Sequence, residues 1–186
     1  MRIIGGKFKG RRFDPPADNW PTRPTTDFAK EGLFNILQNH FDFAELKVLD
    51  LFGGTGSHGY EFISRGCRDV TYVDKHGPAV AFVRKTAQVL GIETELRIIK
   101  GDVFKFMEFT GERYDYIFAG PPYALPTIDR IPSLVFQHDL LKPGGWLVME
   151  HNPNHSYTSH PQYFQERHYG KTIFSFFRAA GHDEEE

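Results

Sequence analysis

A carboxylate and several glycines lie together at the end of the first strongly apolar segment, where residues 50–56 read DLFGGTG. Glycine lets the backbone approach a ligand closely, and the amides at the start of a following helix can donate to it. Residues 54–59 (GTGSHG) also match the dinucleotide pattern G-x-G-x-x-G, although ordinary tight turns match it as well. The segment predicts a ligand-binding loop made of Asp50, Phe52, Gly53, Gly54 and Gly56.

Acidic residues at three successive predicted strand ends narrow the class of ligand. Asp50 would repel a pyrophosphate and suits an ammonium or sulfonium group, both of which S-adenosylmethionine carries. Asp74 comes 18 residues after Gly56 and is placed to accept from ribose hydroxyls, as it would be for NAD. Asp102 could reach an adenine amino group or could cap the helix that follows it, and both interpretations stay open. These acids predict a nucleoside cofactor.

The fourth predicted strand ends in residues 118–123 (FAGPPY). Two consecutive prolines fix the backbone and leave their carbonyl oxygens free to accept, because neither ring has an N–H group. The tyrosine after them is suited to stack on a nucleic-acid base that has been drawn out of its helix. We therefore predict a substrate site at Gly120, Pro121, Pro122 and Tyr123, opposite the glycine loop.

Alternation of strands and helices determines where these residues lie. Apolar patterning and turn residues predict strands at 2–4, 47–52, 69–73, 95–99, 114–119, 146–150, 163–168 and 172–177, with a turn at 142–145. Helices are predicted from about residue 27, up to about residue 65, over 78–90 and over 129–138. This order is typical of an α/β fold: a mostly parallel open sheet with an antiparallel last strand and helices on both faces. Ligands of such sheets bind beyond the carboxyl ends of the strands.

Composition excludes several classes of protein. The chain of 186 residues is 40% hydrophobic with a net charge of −2, which is typical of a folded domain and not of a disordered chain. The single cysteine, Cys67, excludes an internal disulfide and a Cys-based zinc site. No membrane-spanning run or signal peptide is evident, so a cytoplasmic location is expected. No metal site is predicted, because the histidines at 151, 155 and 160 lie in a loop without supporting ligands.

Charge is distributed unevenly along the chain. The first 30 residues hold seven basic and three acidic side chains, whereas the remainder is acidic. We interpret residues 1–26 as a basic arm, 27–180 as the main domain and 181–186 as an acidic flexible tail. A partner with phosphates, such as RNA, would account for the arm, and a solvated surface segment is the alternative. The residues predicted to bind RNA are Lys7, Lys9, Arg11, Arg12 and Arg23.

The motifs at the strand ends resemble those of the class I S-adenosylmethionine-dependent amino-methyltransferases. A narrower resemblance, from residue 2 to about residue 178, is to the RsmD family of ribosomal RNA guanine-N2 methyltransferases. The segments that carry it are 2–6 (RIIGG), 9–11 (KGR), 23–27 (RPTTD), 31–35 (EGLFN) and 169–172 (YGKT).

The resemblance implies a Rossmann-like sheet of seven strands with S-adenosylmethionine bound at its edge, where Val103 and Ala119 also border the cofactor. It implies methyl transfer to the exocyclic N2 of a guanine in small-subunit (16S) rRNA, with an assembled or partly assembled subunit as substrate. The protein is expected to be a monomer.

One position departs from the family's pattern. The family has Asp-Pro-Pro-Tyr or Asp-Pro-Pro-Phe where this chain has Gly120. The missing carboxylate accepts from the target amine in the family, and its loss would cost about 10²–10³ in rate. On this reasoning Gly120→Asp should raise methyl transfer strongly. A weakened enzyme, an enzyme with another acceptor and a silent RNA-binding protein remain as alternatives, and an NAD-dependent oxidoreductase is a further one that Asp50 argues against.

Overall fold

A sheet of seven strands organises the computed structural model, which describes residues 1–16, 20 and 24–181. The strands are β1 (Lys47–Leu51), β2 (Asp69–Asp74), β3 (Leu96–Lys100), β4 (Tyr114–Ala119), β5 (Leu141–His151), β6 (Tyr163–Tyr169) and β7 (Thr172–Arg178). Their order across the sheet is β3-β2-β1-β4-β5-β7-β6, and β7 pairs antiparallel with both neighbours. The predicted α/β fold with an antiparallel last strand is confirmed.

Five α-helices cover the sheet in the described part of the chain. They are α1 (Asp27–His40), α2 (Ser57–Ser64), α3 (Gly77–Leu90), α4 (Val103–Phe109) and α5 (Ile131–Gln137), with short 3-10 helices at Phe43–Glu45 and Ile128–Arg130. Thr26 caps α1 by accepting from the Ala29 amide at 3.2 Å. Gly91, at φ 67°, ends α3 in the left-handed conformation that glycine tolerates. No helix in these described residues is long and apolar enough to cross a membrane.

The helices pack on the two faces of the sheet in two hydrophobic clusters. One contains apolar side chains of α1, α2 and α3, packed on alternate residues of the strands such as Val48 and Phe118. The other contains those of α4 and α5, packed on the intervening residues such as Leu49 and Ala119. Because both faces are covered, the central strands β1, β4 and β5 are mostly buried, and the acids Asp50, Asp74 and Glu150 lie at or near strand ends.

The structure corrects two predicted elements. β5 begins at Leu141, so the residues expected to form a turn at 142–145 belong to the strand, and its pairing with β4 shifts register between Tyr114 and Tyr116. The expected strand at residues 2–4 is a single antiparallel bridge between Arg2 and Arg12. No ladder extends from it, because the amides of Ile4 and Gly5 donate to the carboxylate of Glu61 instead.

Residues 1–13 pack on the domain while presenting basic side chains to solvent. Ile3 is buried in the cluster that contains α1 and α2. Lys7, Lys9, Arg11 and Arg12 are exposed. Arg23 and the acidic residues at 183–186 lie outside the described residues.

Candidate active site

Asp50 is a buried carboxylate near the end of β1. Its strand register places it beside Tyr72 on β2 and Phe118 on β4, so the three side chains point to the same face of the sheet. The residue is 1% exposed, and its Oδ2 has no hydrogen-bond partner among the described residues. Burial, and then the charge of Asp74, raise the pKa of Asp50 well above its usual range. Such a carboxylate needs either a proton or a donor from a ligand.

Close packing explains the glycines that follow β1. A Cβ at Gly53 would lie 2.3 Å from Cδ2 of Tyr72, and one at Gly56 would lie 2.6 Å from the hydroxyl of Tyr60. Gly56 also has a φ of 79° and turns the chain into α2. β1 ends one residue earlier than predicted, because Phe52 adopts a φ of 57°. The loop is therefore compact and has backbone in place of side chains next to Asp50.

Asp74, at the end of β2, fixes this loop from the neighbouring strand. Its Oδ2 accepts from the Gly54 amide at 2.9 Å, and its Oδ1 accepts from the His76 amide at 2.9 Å. The Tyr72 hydroxyl donates to the Gly54 carbonyl at 2.7 Å. Because each carboxylate oxygen has two lone pairs, Asp74 can still accept one further donor on each oxygen, as a ribose diol requires.

A cavity of about 430 Å³, here called the Asp74 cavity, lies beyond the ends of β2 and β3. Asp102 caps α4 by accepting from the Lys105 amide at 3.0 Å, which confirms the capping interpretation, and it also lines the cavity. Trp20 is a lining residue that sequence reasoning missed, since nothing in the surrounding residues marked it. The other lining residues include Phe52, Asp74, His76, Val103, Phe104 and Pro122.

Two further cavities continue along the same edge of the sheet. The Asp50 cavity, about 40 Å³, is lined by residues that include Asp50, Phe52, Gly53, Gly54, His58, Gly120 and Glu150. The Tyr123 cavity, about 540 Å³, is lined by residues that include Thr25, Gly120, Pro121, Pro122, Tyr123, Glu150 and Lys171. Phe52 borders the Asp74 and Asp50 cavities, Pro122 borders the Asp74 and Tyr123 cavities, and Gly120 borders the Asp50 and Tyr123 cavities. The glycine loop and the Pro-Pro-Tyr segment therefore line adjoining spaces.

Glu150 is the second residue of the site that sequence reasoning missed. It lies near the end of β5, is 6% exposed and lines both the Asp50 and Tyr123 cavities. Its carboxylate accepts from the Thr25 hydroxyl at 2.6 Å and from the Tyr123 hydroxyl at 3.1 Å. Burial raises the pKa of Glu150. The sequence could have indicated Glu150, because it is an acid at the end of the predicted strand at 146–150. The same kind of position identified Asp74.

Some predicted residues lie away from these cavities. Ala119 is fully buried and packs in the cluster on the opposite face of the sheet, and Gly56 serves the turn into α2. The exposed cations of the arm line none of the three cavities. Among the described residues, no group of three His, Cys, Asp or Glu side chains could hold a metal ion. His151 is buried, with its Nε2 2.7 Å from the Ser175 hydroxyl.

Comparison with known proteins identifies the family of this chain. The family described as Conserved hypothetical protein 95, the RsmD family, matches residues 1–178. The chain belongs to the RsmD family. A relative from Haemophilus influenzae, named ribosomal RNA small subunit methyltransferase D, is 30% identical over 81% of this chain and 78% of its own length. This RsmD-family chain thus matches a named relative over most of both sequences.

Solved structures have the same fold. A hypothetical protein of Thermus thermophilus superimposes with a TM-score of 0.82 at 26% identity, covering 95% of this chain and 98% of its own. An RNA methyltransferase from Salinibacter ruber, solved in complex with S-adenosyl-L-homocysteine, gives a TM-score of 0.66 at 15% identity over 85% of this chain and 94% of its own. The RsmD-family chain therefore has a class I methyltransferase fold.

Proposed function

We propose that the protein transfers a methyl group from S-adenosylmethionine to the exocyclic N2 of a guanine in small-subunit (16S) rRNA. The observation that carries the proposal is the row of adjoining cavities. In it, Asp50 Oδ2 has no hydrogen-bond partner among the described residues, and the Pro-Pro-Tyr segment lines the space beyond it. Membership of the RsmD family and the name of the relative from Haemophilus influenzae support the choice of substrate.

The described residues fit this cofactor. Asp50 offers the ammonium group a buried oxygen that no described residue contacts by a hydrogen bond, and Asp74 keeps acceptor sites for the ribose hydroxyls. The Asp74 cavity has apolar walls at Phe52 and Val103 that suit an adenine ring. When bound, S-adenosylmethionine supplies an electrophilic methyl group.

The chain's own residues orient the nucleophile. The N2 lone pair of guanine is delocalised into its ring, so the amine needs hydrogen-bond acceptors that hold it in line with the methyl group. The Pro121 carbonyl provides an acceptor, whereas the Pro122 carbonyl already accepts from the Leu125 amide at 3.0 Å. The Tyr123 ring provides a surface on which the base can stack. The exposed cations Lys7, Lys9, Arg11 and Arg12 would contact phosphates of the same RNA.

Transfer of a tritiated methyl group to small subunits that lack the modification tests this function. The parent protein should label 16S rRNA, and nucleoside digestion should recover N2-methylguanosine. Asp74→Ala tests the cofactor site separately. This variant should bind S-adenosylmethionine about 1.5–3 kcal/mol more weakly, as measured by calorimetry. Label on the ring nitrogens of guanine, or in another base, would contradict the assignment.

A silent RNA-binding protein is the second candidate, and Gly120 is the observation that favours it. That protein would bind S-adenosylmethionine and small-subunit rRNA and transfer no methyl group. Measuring the unfolding temperature with each ligand distinguishes both candidates from an NAD-dependent oxidoreductase, because a ligand stabilises only a protein that binds it in the folded state. S-adenosylmethionine should raise the unfolding temperature, and NAD should not.

A further inference from the structure

Position 120 holds glycine where the resemblance to the RsmD family implies aspartate. The proposed substrate site therefore has no carboxylate at this position. Among the residues that the structure describes, a Cβ at this glycine would meet only the Phe118 ring within 4 Å, with its nearest atom at 3.1 Å. The Gly120 backbone does not have the positive φ that would require glycine. Backbone strain therefore does not force this residue to be glycine, and a side chain here would need the Phe118 ring, which stacks on His58, to shift slightly.

Glu150 occupies the corresponding place on the next strand. Ala119 pairs in register with Met149 in parallel β4 and β5, so Gly120 and Glu150 follow one position later on adjacent strands. Residues in register on adjacent strands point to the same face and lie about 4.8 Å apart. Both residues line the Asp50 and Tyr123 cavities, and Glu150 is the only carboxylate among the described lining residues of the Tyr123 cavity.

The hydrogen bonds of Glu150 leave it able to accept from a substrate. The Thr25 hydroxyl donates to one carboxylate oxygen and the Tyr123 hydroxyl to the other, so each oxygen keeps one acceptor site. No lysine or arginine forms an ion pair with this carboxylate in the part of the chain that the structure describes. Two hydroxyl donors hold the group in position without neutralising it.

We propose that the Glu150 carboxylate accepts a hydrogen bond from the guanine N2 amine, in place of an acidic side chain at position 120. This inference rests on the proposed function and names the residue that recognises the amine. N2 forms its bond to the methyl carbon as the carbon–sulfur bond breaks, and that bond's electron pair stays on sulfur. The proton that the methylated nitrogen then loses passes to Glu150 and on to solvent.

Nucleotide binding tests the contact without requiring catalysis. Inosine monophosphate lacks only the N2 amine of guanosine monophosphate, so the ratio of their dissociation constants reports recognition of that amine. The parent protein should prefer guanosine monophosphate by about tenfold or more, and Glu150→Gln should lose most of that preference. Tyr123→Phe is the matched control, because it removes one hydrogen bond to Glu150 and keeps the carboxylate. It should change the ratio much less than Glu150→Gln does, because the carboxylate remains and the Thr25 hydroxyl still donates to it.

Single-turnover methyl transfer on unmodified small subunits tests the catalytic part. Glu150→Gln should slow transfer by about 10²–10³-fold while the calorimetric affinity for S-adenosylmethionine stays within about twofold. Gly120→Asp should accelerate transfer much more in the Glu150→Gln background than in the parent, because the new carboxylate replaces one that is missing only there. Unfolding temperatures of all variants identify any change that acts through the fold.

Several results would overturn the proposal. An unchanged nucleotide ratio in Glu150→Gln would exclude contact with the amine. Equal acceleration by Gly120→Asp in both backgrounds would show that Glu150 and position 120 act independently, as expected if the chain simply lacks an acceptor. If S-adenosylmethionine binds and no variant transfers a methyl group, the proposed function fails, and the nucleotide ratio alone decides whether Glu150 recognises the amine.

Discussion

At the scale of single residues, the role proposed for Asp50 in ligand binding comes at the expense of stability. Its carboxylate is buried and lies near the charge of Asp74, and its Oδ2 has no hydrogen-bond partner within residues 1–16, 20 and 24–181. An acid whose pKa is raised in the folded state stabilises the fold most below its unfolded pKa of about 3.9. That contribution is lost as the pH rises through the folded pKa, so the ligand-free protein carries a growing penalty toward neutral and alkaline pH.

We therefore expect Asp50→Asn to stabilise the ligand-free protein at pH 8 by at least about 1 kcal/mol, or roughly 2–4 °C in Tm. The difference from the parent should shrink as the pH falls toward 4, as followed by thermal unfolding over a pH series. The same variant should bind S-adenosylmethionine about 2–5 kcal/mol more weakly, because a buried charge partner is lost.

Asp74→Asn provides the comparison for that stability effect. Its carboxylate already accepts from two backbone amides, and an asparagine side chain can replace only one of those acceptors. This variant should unfold at a lower temperature than the parent. An Asp50→Asn variant that unfolds at or below the parent's temperature at every pH would show that Asp50 is not strained by its burial.

At the scale of elements, Glu61 of α2 attaches the N-terminal segment to the domain. Its oxygens accept from the amides of Ile4 and Gly5, and they pair with Lys30 at 3.1 Å and Arg65 at 2.9 Å. Burial alone would raise the pKa of Glu61, but these donors and charges together lower it. Lys30, one of the basic residues counted near the N-terminus, is consequently buried and faces this cluster instead of solvent.

Glu61→Gln should lower the free energy of unfolding by about 3–5 kcal/mol, because it leaves a buried lysine without its charge partner. Urea unfolding measures the loss, and hydrogen exchange at Ile4 and Gly5 should accelerate. An acid with a lowered pKa stabilises the fold above its unfolded pKa, and this contribution is lost as the pH falls through the folded pKa. The difference between parent and variant should therefore close on acidification.

Glu112 offers a matched control on the surface. It also pairs with two cations, Lys47 at 3.1 Å and Arg97 at 3.5 Å, but it is 40% exposed. Glu112→Gln should change stability by less than about 1 kcal/mol, since solvent screens such pairs. Equal urea midpoints for Glu61→Gln and the parent would mean that the segment is held mainly by the burial of Ile3.

At the scale of the whole molecule, the basic N-terminal segment makes the charge distribution asymmetric. Replacing Lys9, Arg11 and Arg12 together with glutamine should weaken binding to 16S rRNA and reduce the slope of log K against log salt. Each lost phosphate contact should lower that slope by about 0.7–0.9, so the reduction should reach about 2–3 if all three bind phosphate. Cofactor affinity should stay constant, because these side chains line none of the three cavities.

Three exposed cations elsewhere provide the control for net charge. Arg68 follows α2, and Arg84 and Lys85 lie on α3. Replacing these three with glutamine changes the net charge equally and should leave the salt slope close to that of the parent. Equal salt slopes for the two triple variants would show that the N-terminal segment does not bind RNA phosphates specifically and is a solvated surface segment.

Local patterns were sufficient to predict the elements that position the site. Strand β4 has the predicted bounds, because aromatic and β-branched residues alternate there without a glycine or proline until the strand ends. The capping of α4 by Asp102 and the end of α3 at Gly91 also follow from neighbouring residues alone. The prediction of a strand at residues 2–4 was wrong because the Ile4 amide donates to Glu61, which is 57 residues distant in the chain.

By itself the sequence determined the α/β fold, the glycine loop, and Asp50 and Asp74 as acids at adjacent strand ends, because hydrophobic period and turn chemistry act over a few residues. Only the tertiary structure decided that Thr25, Tyr123 and Glu150 meet, that Oδ2 of Asp50 has no hydrogen-bond partner in the described part of the chain, and that Ala119 faces away from the cavities. These facts depend on strand order, register and face. They cannot be predicted from neighbouring residues, because they arise only when distant segments of the chain pack together.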